Sequence, residues 1–176
     1  MKFTETPLSG AFIIDPDLLE DERGFFARVY CEEEFHQHGL IPQVVQSSIS
    51  FNPTSGTLRG MHYQAQPDAE IKLVRCTRGA IYDVIVDLRR DSPTYKDWFA
   101  VELNEDNARQ LYIPEDFAHG FVSLKDDTEV LYQISTHYHP PSARGFRYND
   151  PGFDIDWPFP IKVISDKDNI WPDFQD

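Results

Sequence analysis

Sulfur, positive charge and long apolar runs are all scarce in this chain, and each scarcity removes a class of protein. Two cysteines, Cys31 and Cys76, stand in 176 residues. They allow one intramolecular disulfide at most, match no zinc-ligand spacing, and are read as two reduced thiols. No stretch approaches the roughly 20 apolar residues of a membrane-spanning helix. The opening Met1-Lys2-Phe3-Thr4-Glu5-Thr6-Pro7 lacks the apolar centre of a secretory signal, so a soluble, cytoplasmic protein without a membrane partner is expected. Basic residues number 16 against 30 acidic ones, a formal net charge of -14. Such a chain repels nucleic-acid backbones and anionic lipid alike. A small anionic substrate is not excluded, because a few arginines gathered in a pocket set the local potential.

What is present points to strands. Thirteen prolines, nine glycines and 14% aromatic residues suit many short strands joined by turns. Ala11 to Ile14 reads as a strand stopped by Asp15-Pro16, and Asp21-Glu22-Arg23-Gly24 as a turn into a strand from Phe25 to Tyr30. Glu32 to His38 reads as a short helix, acidic at its start, with histidines at its end and Gly39 as its stop. Further strands are predicted at Val44 to Phe51, Thr57 to Gln64, Ile71 to Cys76 and Ala80 to Leu88, then at Trp98 to Leu103, Gln110 to Ile113, Gly120 to Leu124 and Glu129 to Thr136. No βαβ alternation occurs, so a parallel sheet is not expected. The reading is mainly β: one jelly-roll sandwich or barrel over residues 1–176 with a few short helices. Tyr82, Val84, Val86 and Leu88 fall on one strand face and Asp83 and Asp87 on the other, which predicts a half-buried wall. The Pro- and aromatic-rich segment after Pro140 is expected to lie over the barrel as an ordered cover.

His62 sits in Leu58-Arg59-Gly60-Met61-His62-Tyr63-Gln64, two residues from a glycine that lets another group approach the backbone. Alone, a strand histidine is more often a hydrogen-bonded structural residue than a catalyst. His119 follows Pro114 in a second such segment, which raises the question of a metal. A metal-binding cupin supplies a His-x-His pair, whereas here the second member is Gln64 and only Glu70 stands nearby in sequence. No metal or cofactor is therefore expected. Lys72 and Arg75 either snorkel to solvent or, for Lys72 on the face of Val74 and Cys76, point inward toward an anionic partner. Tyr132 between Val130 and Ile134 faces inward, as a core tyrosine or as an acid in a pocket. Asp166 and Asp168 by themselves read as surface charges.

These segments together resemble the dTDP-4-dehydrorhamnose 3,5-epimerase family, metal-free sugar-nucleotide epimerases of the cupin superfamily. The likeness runs from about Gly10 to Asp168 and is carried by Asp21-Glu22-Arg23-Gly24-Phe25-Phe26, by the Leu58 to Gln64 run, by Lys72-Leu73-Val74-Arg75 and by Asp83 to Arg89. Ser92-Pro93-Thr94, Gln110 to Pro114, Phe117-Ala118-His119-Gly120-Phe121, Asn149-Asp150-Pro151 and Ser165-Asp166-Lys167-Asp168 complete it. The resemblance implies a cupin fold and an epimerase of a nucleotide-linked 4-keto-6-deoxy sugar. His62 would be the base, Asp168 its orienting carboxylate, Lys72 the stabiliser of the enolate and Tyr132 the acid on the opposite face. Arg23 and Arg59 would hold the diphosphate, and Gln46, Ser48, His119 and Tyr138 would line the pocket. In the family the Arg23 and Phe26 equivalents come from a neighbouring subunit, which implies a homodimer.

Three positions depart from the family pattern: Arg28 replaces an acidic residue, Gln46-Ser47-Ser48-Ile49-Ser50 replaces a Gln-x-Asn-His-Ser run, and Tyr148 replaces a tryptophan. They are expected near the nucleotide and the sugar. A single-carbon epimerase or ketoisomerase on another nucleotide sugar therefore stands as an alternative, alongside a non-catalytic sugar-binding cupin and a metal-dependent one.

Overall fold

The computed structural model describes residues 1–175. In chain order the elements are β1 (Lys2–Glu5), β2 (Phe12–Asp15), β3 (Leu19–Asp21), β4 (Gly24–Phe26), α1 (Glu32–Gln37), β5 (Gln46–Asn52), β6 (Thr57–Gln64), β7 (Lys72–Arg78) and β8 (Ala80–Asp87). They continue with β9 (Trp98–Asn104), β10 (Gln110–Ile113), β11 (Phe117–Ser123), β12 (Thr128–Ile134), a 3-10 turn (Pro140–Ser142), β13 (Ala143–Gly145), β14 (Val163–Ile164) and α2 (Asp166–Asn169). One antiparallel sheet runs β1-β2-β10-β7-β12-β5; the other runs β13-β6-β11-β8-β9, with β14 added parallel to β6. This is the two-sheet jelly roll that the strand spacing predicts, the cupin fold that the resemblance implies.

The two inner faces meet in a core of Val74, Cys76, Leu111, Ile113 and Val130 from one sheet and Ile81, Ile85, Leu103, Phe117 and Phe121 from the other. At about 25 cal/mol per Å² of apolar surface this interior is the main driving force for folding. At one end of the sandwich polar residues replace it, and there a cavity opens.

β8 departs from the half-buried wall. Asp83 and Asp87 point inward with Ile81 and Ile85, and both acids are wholly buried. Partners make this tolerable: Asp83 accepts from His119, and Asp87 accepts from Arg89, Ser92 and Thr94. The face of Val84 and Val86 is buried as well, beneath Phe146 and Phe153, whose rings stack at 4.5 Å, and beneath Trp157 and Phe174. The aromatic tail is thus an ordered cover, as its composition predicts.

Most strand boundaries shift by a residue or two from the sequence reading, and two shift by three or more. β4 ends at Phe26 rather than Tyr30, because its partner strand starts only at Leu19, just past Pro16, and leaves nothing more to pair with. β11 begins at Phe117 rather than Gly120, since the turn closes at Asp116, which takes a left-handed φ of 59°. His119 therefore lies inside a strand with neighbours on both sides.

Candidate active site

The functional end of the sandwich is built around an irregularity in β6. His62 pairs with His119 and Arg59 pairs with Phe121, so three steps along β6 match two along β11. In a regular strand, residues three apart point to opposite faces. The extra residue of this bulge turns Arg59 and His62 to the same inward face and sends Met61 to the outer one, under Phe146. Gly60 makes it fit. Its φ is +133°, and a Cβ there would stand 2.5 Å from Gly120 Cα.

Asp168 reaches His62 from α2. Ser165 caps this turn by accepting the Asp168 backbone N–H at 3.1 Å, which fixes where the carboxylate stands. His62 Nε2 lies 2.7 Å from Asp168 Oδ1, and Gly60 N–H donates to Oδ2 at 3.4 Å. Burial opposes ionisation of Asp168, yet the hydrogen bonds from His62, Gly60 and Ser165 hold its carboxyl below the usual carboxylate value. An ionised Asp168 accepts the Nε2 proton, which leaves the lone pair of His62 on Nδ1. Far from being a surface charge, Asp168 is 5% exposed, whereas Asp166 beside it is exposed.

The cavity in front of His62 measures about 330 Å³. Arg59, His62, His119 and Phe121 line it from one sheet, Ser48, Ser50, Lys72 and Tyr132 from the other, and Asp168 from α2. Arg59 is braced by Asn52 Oδ1 at 2.8 Å. Lys72 does point inward; its Nζ lies 2.8 Å from Glu70 Oε1 and 3.5 Å from the His62 carbonyl. Tyr132 faces the cavity with its hydroxyl 3.5 Å from Ser50 Oγ. Burial lifts its phenol well above the ordinary tyrosine value, and the Asp83 carboxylate adds to the lift. The group is protonated at neutral pH. The site therefore has a carboxylate-paired histidine on one sheet and, on the other, a protonated phenol and an ammonium that line the same cavity.

Other predicted residues fall in distinct places. Gln46 stands behind Tyr138 and accepts its backbone N–H, while the Tyr138 ring is 59% exposed at the cavity rim. Arg23 and Phe26 are not brought to this cavity. They sit on the exposed β3–β4 hairpin, Arg23 paired with Asp21 and Phe26 73% exposed. Of the three departures only Ser48 lines the cavity; Arg28 pairs with Glu34, and Tyr148 packs on Trp157 within the tail.

Sequence reasoning missed the partner of His119. His119 Nε2 lies 2.7 Å from Asp83 Oδ1, with both side chains buried. An acid on the same strand face as Ile81 and Ile85 was the available signal. It also weighed Glu70 only as a metal ligand, whereas the carboxylate is taken by Lys72.

Comparison with known proteins gives the family. Residues 5–176 match the family model described as dTDP-4-dehydrorhamnose 3,5-epimerase. The chain belongs to that family. A dTDP-4-dehydrorhamnose 3,5-epimerase of Methanothermobacter thermautotrophicus is 43% identical over 97% of this chain and 92% of its own. The Bacillus anthracis dTDP-4-dehydrorhamnose 3,5-epimerase, solved with TDP and PPi bound, superposes with a TM-score of 0.95 at 42% identity, covering 98% of this chain and 99% of that one. A Legionella pneumophila dTDP-6-deoxy-D-glucose-3,5-epimerase, solved with dTDP-4-keto-L-rhamnose, gives 0.89 at 36% identity over 99% of both chains. The chain is thus a carbohydrate isomerase of the epimerase type. No helix among the described residues is long and apolar enough to cross a membrane.

Proposed function

We propose that this enzyme takes dTDP-4-keto-6-deoxy-D-glucose and inverts it at C3 and C5. The observation that carries the reading is that His62 on one sheet, paired with Asp168 of α2, faces a cavity shared with Tyr132 on the other sheet. His62 Nδ1 removes the proton from a carbon next to the C4 ketone, and the electron pair moves onto the C4 oxygen as an enolate. Lys72 donates to that oxygen. Tyr132 returns a proton to the same carbon from the opposite side, and the configuration inverts. Such base catalysis contributes on the order of 10²- to 10⁴-fold. A binding protein has no use for an acid and a base on opposite walls of its cavity.

In this reading Arg59 holds the diphosphate and His119, Ser48 and Tyr138 contact the rest of the substrate, with Gln46 acting from behind Tyr138. Arg23 and Phe26 are proposed to complete the site of a second copy in a homodimer. Their exposure on a projecting hairpin supports this, as does the open edge strand β5, where Ile49 is 65% and Phe51 46% exposed. The free thiols Cys31 and Cys76 suit a cytoplasmic setting.

The test is deuterium incorporation from D2O into dTDP-4-keto-6-deoxy-D-glucose, followed by NMR. Exchange at C3 and C5 is expected. Exchange at one carbon would make this a single-site epimerase, and no exchange would overturn the proposal.

A further inference from the structure

Gln64 occupies the position where a metal-binding cupin carries its second histidine, and it is 2% exposed. It shares the inward face of β6 with His62, two residues away. Its amide is fully committed elsewhere. Oε1 accepts the His139 backbone N–H at 2.6 Å, and Nε2 donates to the Asp68 carbonyl at 3.0 Å and to the His137 carbonyl at 3.4 Å. One N–H and two carbonyls around one amide fix its orientation, since the flipped group would face like with like.

The residue between those two backbone contacts is Tyr138. Its own N–H goes to Gln46 Oε1, so two glutamine side chains hold three consecutive residues, 137–139. A second clasp lies beyond: Ser142 Oγ donates to Asp68 Oδ2 at 2.6 Å, and His139 Nδ1 lies 2.8 Å from the same oxygen. Tyr138 stands where the 330 Å³ cavity meets a second one of about 180 Å³, and it lines both. Among the described residues no hydrogen bond or ring contact holds its side chain, and the residue is 59% exposed, so its place is set through its backbone.

We infer that Gln64 is a positioning residue for substrate recognition, fixing the Tyr138 ring as the wall between the two cavities. Glutamine is required because only an amide offers an acceptor and two donors within one planar group. Gln64 thus acts on binding of the part of the substrate beyond the keto sugar, and the proton transfers at His62 proceed without it. This rests on the proposed nucleotide-sugar activity.

The experiment is a double-mutant cycle. Gln64→Leu removes every contact, Gln64→Glu keeps the acceptor for His139 and loses both donors, and each is combined with Tyr138→Ala. Gln64→Leu is expected to raise KM and the Kd for dTDP about tenfold, the scale of one buried hydrogen bond. It should lower kcat less than about threefold, because the interaction lost is not made at the reacting carbon. Gln64→Glu should give a smaller rise in KM and Kd. In the Tyr138→Ala background both Gln64 effects should shrink below about twofold, the signature of residues acting through one another. Additive losses, or a loss in kcat alone, would overturn the inference. Failure of wild-type protein to bind dTDP would instead overturn the nucleotide reading. Positioning is then read by amide hydrogen exchange: Tyr138 and His139 should exchange faster in Gln64→Leu with β7 and β8 unchanged, and equal rates would sink it.

Discussion

His62 and His119 are register partners on adjacent antiparallel strands, and each gives its Nε2 to a carboxylate 2.7 Å away. The pairs differ in exposure. The His62 side chain is 41% exposed toward the cavity and that of His119 only 5%. A proton-abstracting group must reach a substrate carbon, so the more open histidine is the one proposed as the base and the enclosed one as a fixed contact. His62→Ala is expected to abolish deuterium exchange, while His119→Ala should leave exchange measurable with a raised KM. Asp168→Asn should lower kcat by about 10²-fold or more through loss of the tautomer lock. Equal loss of kcat in His62→Ala and His119→Ala, by NMR progress curves, would reverse the assignment.

In the proposed reaction Lys72 and Tyr132, which line one cavity, act at different stages. Lys72→Met removes the donor to the enolate and should cost on the order of 10²- to 10³-fold in kcat. Tyr132→Phe should behave differently: His62 can still remove the proton, so label washes in without net inversion. Comparing isotope exchange with product formation separates the two steps, and parallel loss of both in Tyr132→Phe would count against an acid role.

The hairpin exposure leads to a complementation test. If Arg23 completes a neighbouring site, mixing inactive Arg23→Ala with inactive His62→Ala should restore about one quarter of wild-type activity, because half the dimers are hybrids with one intact site each. Sites made within one chain would give no recovery on mixing and subunit exchange.

The ionisation of Asp168 sets an acid limit. Its folded carboxyl titrates below the unfolded value, so its contribution to stability is present above about pH 4 and is lost as pH falls through the folded value. Tyr132 works in the other direction: its raised phenol contributes below about pH 10 and the contribution is lost above it. Asp168→Asn should therefore flatten the acid limb of a stability–pH curve measured by urea unfolding, and Tyr132→Phe the alkaline limb. Unchanged limbs would contradict these linkages.

Thiol chemistry separates the cysteines. Burial pushes the Cys76 thiol up to about 11, and its Sγ donates to the Arg78 carbonyl at 3.1 Å, whereas Cys31 is partly exposed beside Arg28. An aromatic disulfide reagent should titrate one thiol in the native protein and two after unfolding. Two rapid equivalents in the native state would show that the barrel opens around Cys76.

Local chemistry by itself determined much of this protein. Alternation and turn residues placed the strands of both sheets apart from β1, β13 and β14, with Thr57 to Gln64 and Gln110 to Ile113 recovered residue for residue, because strand period and turn conformation are properties of a few neighbouring residues. The ordered run of motifs identified the family. Tertiary structure alone decided what those residues face. A period of two assigns Arg59 and His62 to opposite sides, and only pairing with β11 creates the bulge that unites them. Asp168 is 106 residues from His62 and becomes its partner only when α2 docks beside β6. Asp83 looks like the wet side of a wall until His119, 36 residues on, pairs with its Oδ1 inside it. In each case the deciding term is a hydrogen bond or close backbone contact between distant segments, which no local pattern encodes.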